Sequence, residues 1–397
     1  MSRTLVTALL ASLAMFGQQP PAAAEPQTIS FQQALERARQ YSVDLQTANI
    51  AALLAREDRL QAKAALLPNS GYFNQFIYTQ PNGTPSGVFI ANDGPHVYSS
   101  QAQVHNDLAL THFAEYRRTQ AAEALAQAKI DLTRRGLVAT VVQDYYGLVA
   151  AQRRLTNAQR SLVDARTFLD ITQKQEQGGE AAHADVVKAQ LQVQQRERDV
   201  ADAQLAIDKA RITLAVLIYP DFQQNFRVVD DLDTVAELAP LPEVQQRATA
   251  YSPELRVAQA AIKQENAGLS EARAAYLPAF SWDYFFGIDA NQVALYNRAH
   301  LNNLGSVAQA SLNIPLWTWG ATQSRVRQAQ LRVQQAQAEL SLAQRQLLAN
   351  LNAFYAEAQA ANAQLASLRS SLSLAEESLR LTILRYQNGE ATALEVV

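Results

Sequence analysis

Two short phrases of this sequence each place an acidic residue at the same distance from a glycine turn. The phrases are QGGEAAHADVV (177–187) and QNGEATALEVV (387–397). Asp185 lies six residues after Gly179 in the first phrase. Glu395 lies six residues after Gly389 in the second. Carboxylates favour cations and repel anions, which is the chemistry of a charged ring in an ion pathway. Near a helical turn, an acidic residue is more commonly a solvated group or a cap.

The remaining reactive side chains form no catalytic or metal-binding motif. The five histidines are His96, His105, His112, His183 and His300. They include no HExxH motif and no pair four residues apart, which argues against a zinc site. The sequence also lacks a GxxxxGK[S/T] phosphate loop, a GxSxG nucleophile motif and any cysteine. We therefore expect no enzyme activity, no metal and no cofactor.

The charge pattern and the first residues indicate an exported protein that does not bind nucleic acid. The net charge is −3, and acidic and basic residues are interspersed without a basic patch. Arg3 precedes the apolar run LVTALLASLAMF (5–16), and Ala22-Ala23-Ala24 follows it. This order is typical of a cleaved secretory signal, which we assign to residues 1–24. The run is shorter than the ~20 apolar residues of a membrane-spanning helix.

Two copies of one large unit follow the signal. A shift of 210 residues aligns identical residues: Tyr41-Ser42 with Tyr251-Ser252, Leu67-Pro68 with Leu277-Pro278, and Tyr145 with Tyr355. The offset is constant, so the chain is a tandem duplication rather than a short-repeat solenoid. The first helix opens with Ser30 and Gln33 in capping-box spacing and is predicted to run to Leu67-Pro68.

After each Leu-Pro pair, the hydrophobic period changes from helical to alternating. In FSWDYFFGI (280–288), Trp282, Tyr284 and Phe286 share one face, and polar residues lie mostly on the other. Strict alternation predicts strands with one apolar and one polar face. The predicted strands lie at about 70–80, 97–110, 279–289 and 304–315.

Rows of apolar residues at intervals of seven are the strongest periodic signal. The rows are Val141, Leu148, Leu155, Leu162 and Leu169; Val186, Val193, Val200, Ile207 and Leu214; and Leu351, Ala358, Leu365, Leu372 and Leu379. A strict heptad predicts supercoiled helices. The segment 115–176 alone would span ~90 Å at ~1.5 Å per residue. We therefore predict a long helical hairpin with its tip at 177–185.

Strands and helices together favour an oligomer. Four amphipathic strands cannot close a membrane barrel, because such barrels begin at about eight strands. Open strand edges are not tolerated in lipid, so a membrane sheet of this kind needs several chains. Three copies would supply twelve strands and a tube of helices. The expected fold class is mainly α with membrane β, built from two tandem helix–strand–strand–long helical hairpin repeats.

The sequence closely resembles the TolC-like outer-membrane efflux proteins. The resemblance rests on the opening ISFQQALERARQYSVDLQTA (29–48), the Leu-Pro helix stops, NIPLW (313–317) and RYQNGEATALEVV (385–397). It implies a homotrimer with a twelve-stranded β-barrel in the outer membrane, continuous with an α-helical tunnel across the periplasm. It also implies a passive exit duct of a tripartite efflux or type I secretion system. The implied partners are a periplasmic adaptor, an inner-membrane pump and outer-membrane lipid.

The same resemblance assigns roles to particular residues. Asp185 and Glu395 match acidic positions that line the periplasmic entrance, and Tyr386 matches a tyrosine that helps hold the entrance shut. The arginine that completes this latch in the family is here Ala391, so this chain departs from the family's latch. The hairpin tips expected to contact the adaptor include Gly178, Gly179, Glu180, Gly389 and Glu390. The barrel aromatics expected to face the membrane are Trp282, Tyr284 and Phe286.

The expected organisation is repeat 1 (25–218), an equatorial linker (219–242) and repeat 2 (243–397), whose second tip lies at 387–395. About 31 residues of helix follow the tip in repeat 1, and none follow Val397 in repeat 2. We therefore expect an incomplete chain that lacks its final helix.

Other interpretations stay open at this point. A periplasmic adaptor also uses a long helical hairpin, and a structural periplasmic coiled coil would need no pore. The strand aromatics could instead form the core of a soluble sheet. Trp317 and Trp319 suit a membrane-interface girdle but could equally pack in the equatorial zone.

Overall fold

The computed structural model describes residues 27–78, 96–221, 225–232 and 237–388, without the side chain of Gln387. The helices are α1 (Phe31–Tyr41), α2 (Val43–Ala64), α3 (Leu110–Gln177), α4 (His183–Ile218), α5 (Leu241–Tyr251), α6 (Pro253–Ala274) and α7 (Ala321–Gln387). The strands are β1 (Gln27–Ile29), β2 (Asn69–Tyr78), β3 (His96–Ala109), β4 (Phe226–Val228), β5 (Ala279–Ala290) and β6 (Leu304–Asn313). The proposed signal, residues 1–24, lies outside the described ranges.

The tandem repeat is confirmed in the order of the elements. Helices α2 and α6 each contain 22 residues and begin at Val43 and Pro253, which are related by the sequence offset. Each is followed by two antiparallel strands and then a long helix. The mainly α fold class with two strand pairs is therefore confirmed.

The predicted first helix is interrupted at Ser42, and the prediction of one helix up to Leu67-Pro68 is wrong. Ser42 is extended, and its side chain accepts a hydrogen bond from the backbone N–H of Leu45 at 3.2 Å. This cap satisfies a free N–H at the start of α2 and separates it from α1. Ser252 repeats the arrangement, accepting from Leu255 at 3.2 Å ahead of α6. The predicted capping box at the start of α1 is present, because Ser30 and Gln33 bond reciprocally.

The chain folds into two compact units. Among the described residues, the first unit comprises 27–41, 140–221 and 225–232, and the second comprises 42–78, 96–139 and 237–388. In the first unit, β1 and β4 form a parallel pair. The side chain of Tyr145 on α3 is fully buried, and its hydroxyl links the ends of the two strands. Its hydroxyl lies 3.1 Å from the carbonyl of Ile29 and 3.0 Å from that of Val229, and it accepts from the Val229 N–H at 3.1 Å.

The segment 219–242, expected to be a linker, contains strand β4. Arg153 of α3 holds the residues after the strand by donating from Nε and Nη2 to the carboxylate of Asp230, at 2.5 and 2.8 Å. These hydrogen bonds hold the pKa of Asp230 below its usual range. Burial, in contrast, raises the pKa of the neighbouring Tyr145 hydroxyl. The hydroxyl and the bidentate ion pair together fix this short strand to the long helix.

The second unit is built on a four-stranded antiparallel sheet in the order β2-β3-β5-β6. Its helices are joined by ion pairs between neighbours. Arg59 of α2 donates to Glu123 at 2.5 Å, and Arg118 donates to Glu271 of α6 at 2.5 Å. Helix α7 packs against α6. The buried stripe of α7 consists of Ala329, Val333 and Ala336, at helical spacing.

The long helices differ in how far their heptad rows are buried. On α3, Val141 is 0% and Leu148 is 1% exposed. On α7, Leu372 is 60% exposed and Leu379 is 43% exposed. The far half of α7 therefore presents an apolar row without a packing partner in this chain's described residues. Within the same ranges, no helix carries an apolar stretch long enough to cross a membrane.

Replacing Tyr145 with Phe tests the closure of the β1–β4 pair. The loss of the hydroxyl leaves buried backbone groups with one partner fewer, so we expect a free energy of unfolding lower by about 1–3 kcal/mol. Thermal melting followed by circular dichroism measures the change. Tyr146→Phe is the matched control, since among the described residues the Tyr146 hydroxyl bonds only the exposed carboxylate of Asp231, at 3.3 Å. Equal melting of the two variants would contradict the role given to Tyr145.

Replacing Gly287 with Ala tests the close approach of β5 to β3. A Cβ at Gly287 would lie 2.6 Å from the Cα of Gln101 and would also clash with the carbonyl oxygen of Ser100. We expect this overpacking to destabilise the protein by about 1–3 kcal/mol. Gly305, the strand partner of Gly287 on β6, has open space at its Cβ position. Gly305→Ala should therefore melt close to the wild type, and a Gly287→Ala protein as stable as this control would refute the argument.

Candidate functional site

The tip of the α3–α4 hairpin is closed by a glycine in the left-handed conformation. Gly179 has φ 76°. Its N–H donates to the carbonyl of Glu176 at 2.9 Å, and the N–H of Glu180 donates to that of Gln175 at 2.8 Å. This pair of bonds is a Schellman motif with Gly179 at the position after the helix cap. The sequence GG therefore fixes where α3 ends and how the chain reverses.

Asp185 lies in the first turn of α4, where a negative charge is stabilised by the free N–H groups of the helix. Its carboxylate accepts from Lys188 Nζ at 3.2 Å, and its side chain is 29% exposed. Beside it, His183 bonds Glu176 across the turn, with 2.7 Å between Nδ1 and Oε1. The tip thus presents accessible carboxylates, one of which is paired with Lys188. Glu180 and Gly178 are exposed at the same turn.

The second phrase is described only at its start. Tyr386 lies in the last turn of α7 and is 5% exposed. Gly389, Glu390, Ala391 and Glu395 lie outside the described residues. The roles assigned to Tyr386 and Glu395 at an entrance therefore stay predictions, as does the contact of either tip with an adaptor.

The four-stranded sheet of the second unit has two chemically different faces. One face carries mostly aromatic and aliphatic side chains: Tyr72, Phe76, Tyr98, Val104, Phe280, Trp282, Tyr284, Phe286, Ala308 and Leu312. The opposite face carries mostly polar side chains: Asn69, Ser99, Gln101, Gln103, His105, Asp107, Asp283, Asp289, Gln309 and Ser311. Alternation along each strand and in-register pairing produce this separation.

The aromatic face is largely uncovered. Tyr284 is 41% and Phe286 is 48% exposed, and Trp282 is half-buried. After β6, Trp317 and Trp319 are 72% and 89% exposed, with ring centroids 5.8 Å apart. An exposed apolar surface of this kind requires a partner or a lipid environment. That it faces lipid is still a prediction.

Sequence reasoning missed a cluster on the polar face. His105 of β3 lies opposite Asp283 of β5, and Asp107 follows two residues later on the same face. His105 Nδ1 is 2.7 Å from Asp283 Oδ1, and Nε2 is 3.1 Å from Asp107 Oδ2. Alternation could have placed each residue on the polar face, but only the register brings Asp283 to His105. No group of three or more metal-ligating side chains is arranged to hold an ion in the part of the chain that the structure describes.

The sequence of this chain matches the profile of a known family. The profile of the outer membrane efflux protein family matches residues 34–218 and 244–397, which is most of the chain. The chain belongs to the outer membrane efflux protein family. Comparison with curated proteins finds no significant match.

Solved outer-membrane channels share the fold of this family member. The CmeC outer membrane channel of Campylobacter jejuni is 16% identical, with a TM-score of 0.77 over 92% of this chain and 78% of that chain. VceC of Vibrio cholerae is 18% identical, with a TM-score of 0.78 over 92% and 88% of the two chains. MtrE of Neisseria gonorrhoeae, in its open state, is 22% identical, with a TM-score of 0.74 over 92% and 81%. At these identities the likeness establishes the fold.

Substituting the two tip glycines tests whether the turn needs a glycine at Gly179, where φ is positive, but not at Gly178. Gly179→Ala places a side chain at positive φ, so we expect the turn to be destabilised by about 1–2 kcal/mol. Gly178→Ala is the control, because its Cβ would make ordinary contacts at 3.6 Å. Hydrogen–deuterium exchange of the amides of residues 174–188 measures the opening of the turn. Equal exchange in both variants would contradict the Schellman assignment.

Proposed function

We propose that this chain is one subunit of a trimeric outer-membrane duct. In this proposal, the duct is the passive exit of a tripartite efflux or type I secretion system and docks to a periplasmic adaptor and an inner-membrane pump. The single observation that carries the proposal is the four-stranded sheet with one aromatic face, one polar face and two open edges. Membership of the efflux protein family and likeness to solved channels support it.

Strand number supports three copies. Strands β2 and β6 are the edges of the described sheet, so each has one side without a strand partner. Membrane sheets must close on themselves, and known barrels need about eight or more strands. Three copies supply twelve strands, with the edge β6 of each subunit pairing with β2 of the next. The aromatic faces would then contact lipid, and the polar faces would line the lumen.

The long hairpin supports docking on the periplasmic side. A helix of the length of α3, 68 residues, extends ~100 Å at ~1.5 Å per residue, well beyond the thickness of a bilayer. The tip at Gly179 is a hydrogen-bonded turn with exposed polar groups, a suitable surface for an adaptor. Three copies of Asp185 near this tip would favour cations at the entrance, to an extent reduced by Lys188.

The proposal is tested on protein extracted from outer membranes with detergent. We expect light scattering to give the mass of a trimer, and planar bilayers to show conductance that prefers cations. A monomer or dimer released without detergent would contradict the duct and favour an adaptor or a periplasmic coiled coil.

A charge substitution tests the entrance separately. Asp185→Asn removes one carboxylate per subunit, so we expect the cation-to-anion permeability ratio to fall about two- to five-fold, as for loss of a solvent-exposed charge interaction of up to ~1 kcal/mol. Asp202→Asn, an exposed carboxylate further along α4, is the matched control and should leave the ratio near its wild-type value. A conducting trimer with the wild-type permeability ratio after Asp185→Asn would contradict the role of Asp185 at the entrance, but not the proposed duct.

A further inference from the structure

The charged groups of the sheet lie almost entirely on its polar face. Strands β2, β3, β5 and β6 contain no lysine or arginine. Their carboxylates, Asp107, Asp283 and Asp289, all project from the polar face, because alternation and register give them the same side. His105 is the one base on that face within the described strands. The other strand histidine, His96, lies on the aromatic face and stacks on Phe76.

The position of His105 between two aspartates favours its charged form. Both ring nitrogens lie within hydrogen-bond distance of carboxylate oxygens, at 2.7 and 3.1 Å. An ionised carboxylate only accepts hydrogen bonds, so both contacts are made only when both ring nitrogens carry a proton. The opposite strand neighbour on β2 is the neutral Asn69. Asp289, further along β5, accepts instead from Ser99 at 2.9 Å.

The protonation of His105 therefore sets the charge of the whole face. With imidazolium present, three carboxylates and one cation leave two net negative charges on each sheet. With neutral imidazole, the three carboxylates leave three net negative charges on each sheet. The side chains of His105 and Asp107 are 33% and 49% exposed, so solvent and ions reach them. Histidine is the side chain whose ordinary titration falls between pH 5 and 8.

We propose that the cluster of His105, Asp107 and Asp283 is a pH-dependent cation-selectivity element of the duct, separate from the helical tip. The inference rests on the proposed function, since it requires the polar faces of several copies to surround one aqueous path. Inorganic cations and cationic solutes are favoured by this wall, and more strongly when His105 is neutral. Because the charges line a solvated wall, their effect extends over the Debye length, about 30 Å at 0.01 M salt and about 10 Å at 0.1 M.

The test is the reversal potential of the trimer in a potassium chloride gradient at low ionic strength, between pH 6 and pH 9.5. For the wild type, the cation-to-anion permeability ratio should rise about two-fold or more with pH, the size expected for uncovering one exposed charge per subunit. His105→Gln should give a high ratio with little pH dependence. Asp283→Asn should lower the ratio and shift the pH at which it changes, and it provides a second test should His105→Gln not assemble.

Two controls place the effect on the cluster. His96→Gln changes the same residue type on the same strand but the opposite face, and it should keep the wild-type pH dependence. Asp185→Asn should lower the ratio at every pH and also keep the pH dependence. Conducting trimers with pH-independent selectivity, or a His105→Gln protein with the wild-type pH dependence, would overturn this proposal alone. Protein that forms no trimer and no conductance would overturn the duct itself and this inference with it.

Discussion

The open edges of the four-stranded sheet are the constraint on which the rest of the account depends. Within the described residues, β2 pairs only with β3, and β6 pairs only with β5. Each edge leaves backbone N–H and C=O groups without strand partners, at a cost of several kcal/mol per group in hydrocarbon. The same sheet exposes an aromatic face. In the proposed duct, a second copy would satisfy each edge and lipid would cover the aromatic face, so one assembly would account for both features.

In the proposed duct, the charges of the hairpin tip and those of the sheet would respond differently to pH. At the hairpin tip, Asp185 accepts a hydrogen bond from Lys188, and lysine as a residue type does not titrate near neutral pH. On the polar face, Asp283 is balanced by His105, whose side-chain type ordinarily changes charge there. Both sites are acidic, but we expect only the site on the sheet to change its charge with pH. The difference arises because the basic partner is a lysine at the tip and a histidine on the sheet.

The fold class could be predicted because two patterns are visible along the chain without knowledge of tertiary contacts. These are the alternation in 280–288 and the constant offset of the repeat. It missed the break at Ser42, where one hydroxyl cap outweighs a continuous helical pattern. It also missed β4, whose three residues are too few to show a period and depend on distant contacts with Tyr145. The cluster at His105 needed the strand register, since Asp283 is 178 residues away in the chain. The roles of Asp185, Glu395 and Tyr386 are still predictions.

Oxidative cross-linking between the sheet edges tests the central claim most directly. The chain has no cysteine, so an introduced pair can react only with itself. Cysteines replace Asn69 or Gly71 on β2 together with Gln309, Ser311 or Asn313 on β6, all on the polar face. Within one chain these edges are three strand spacings apart, about 14 Å, too far for a disulfide. We expect one or more of these pairs to form dimers and closed trimers in outer membranes. Monomers alone, for every pair, would contradict it.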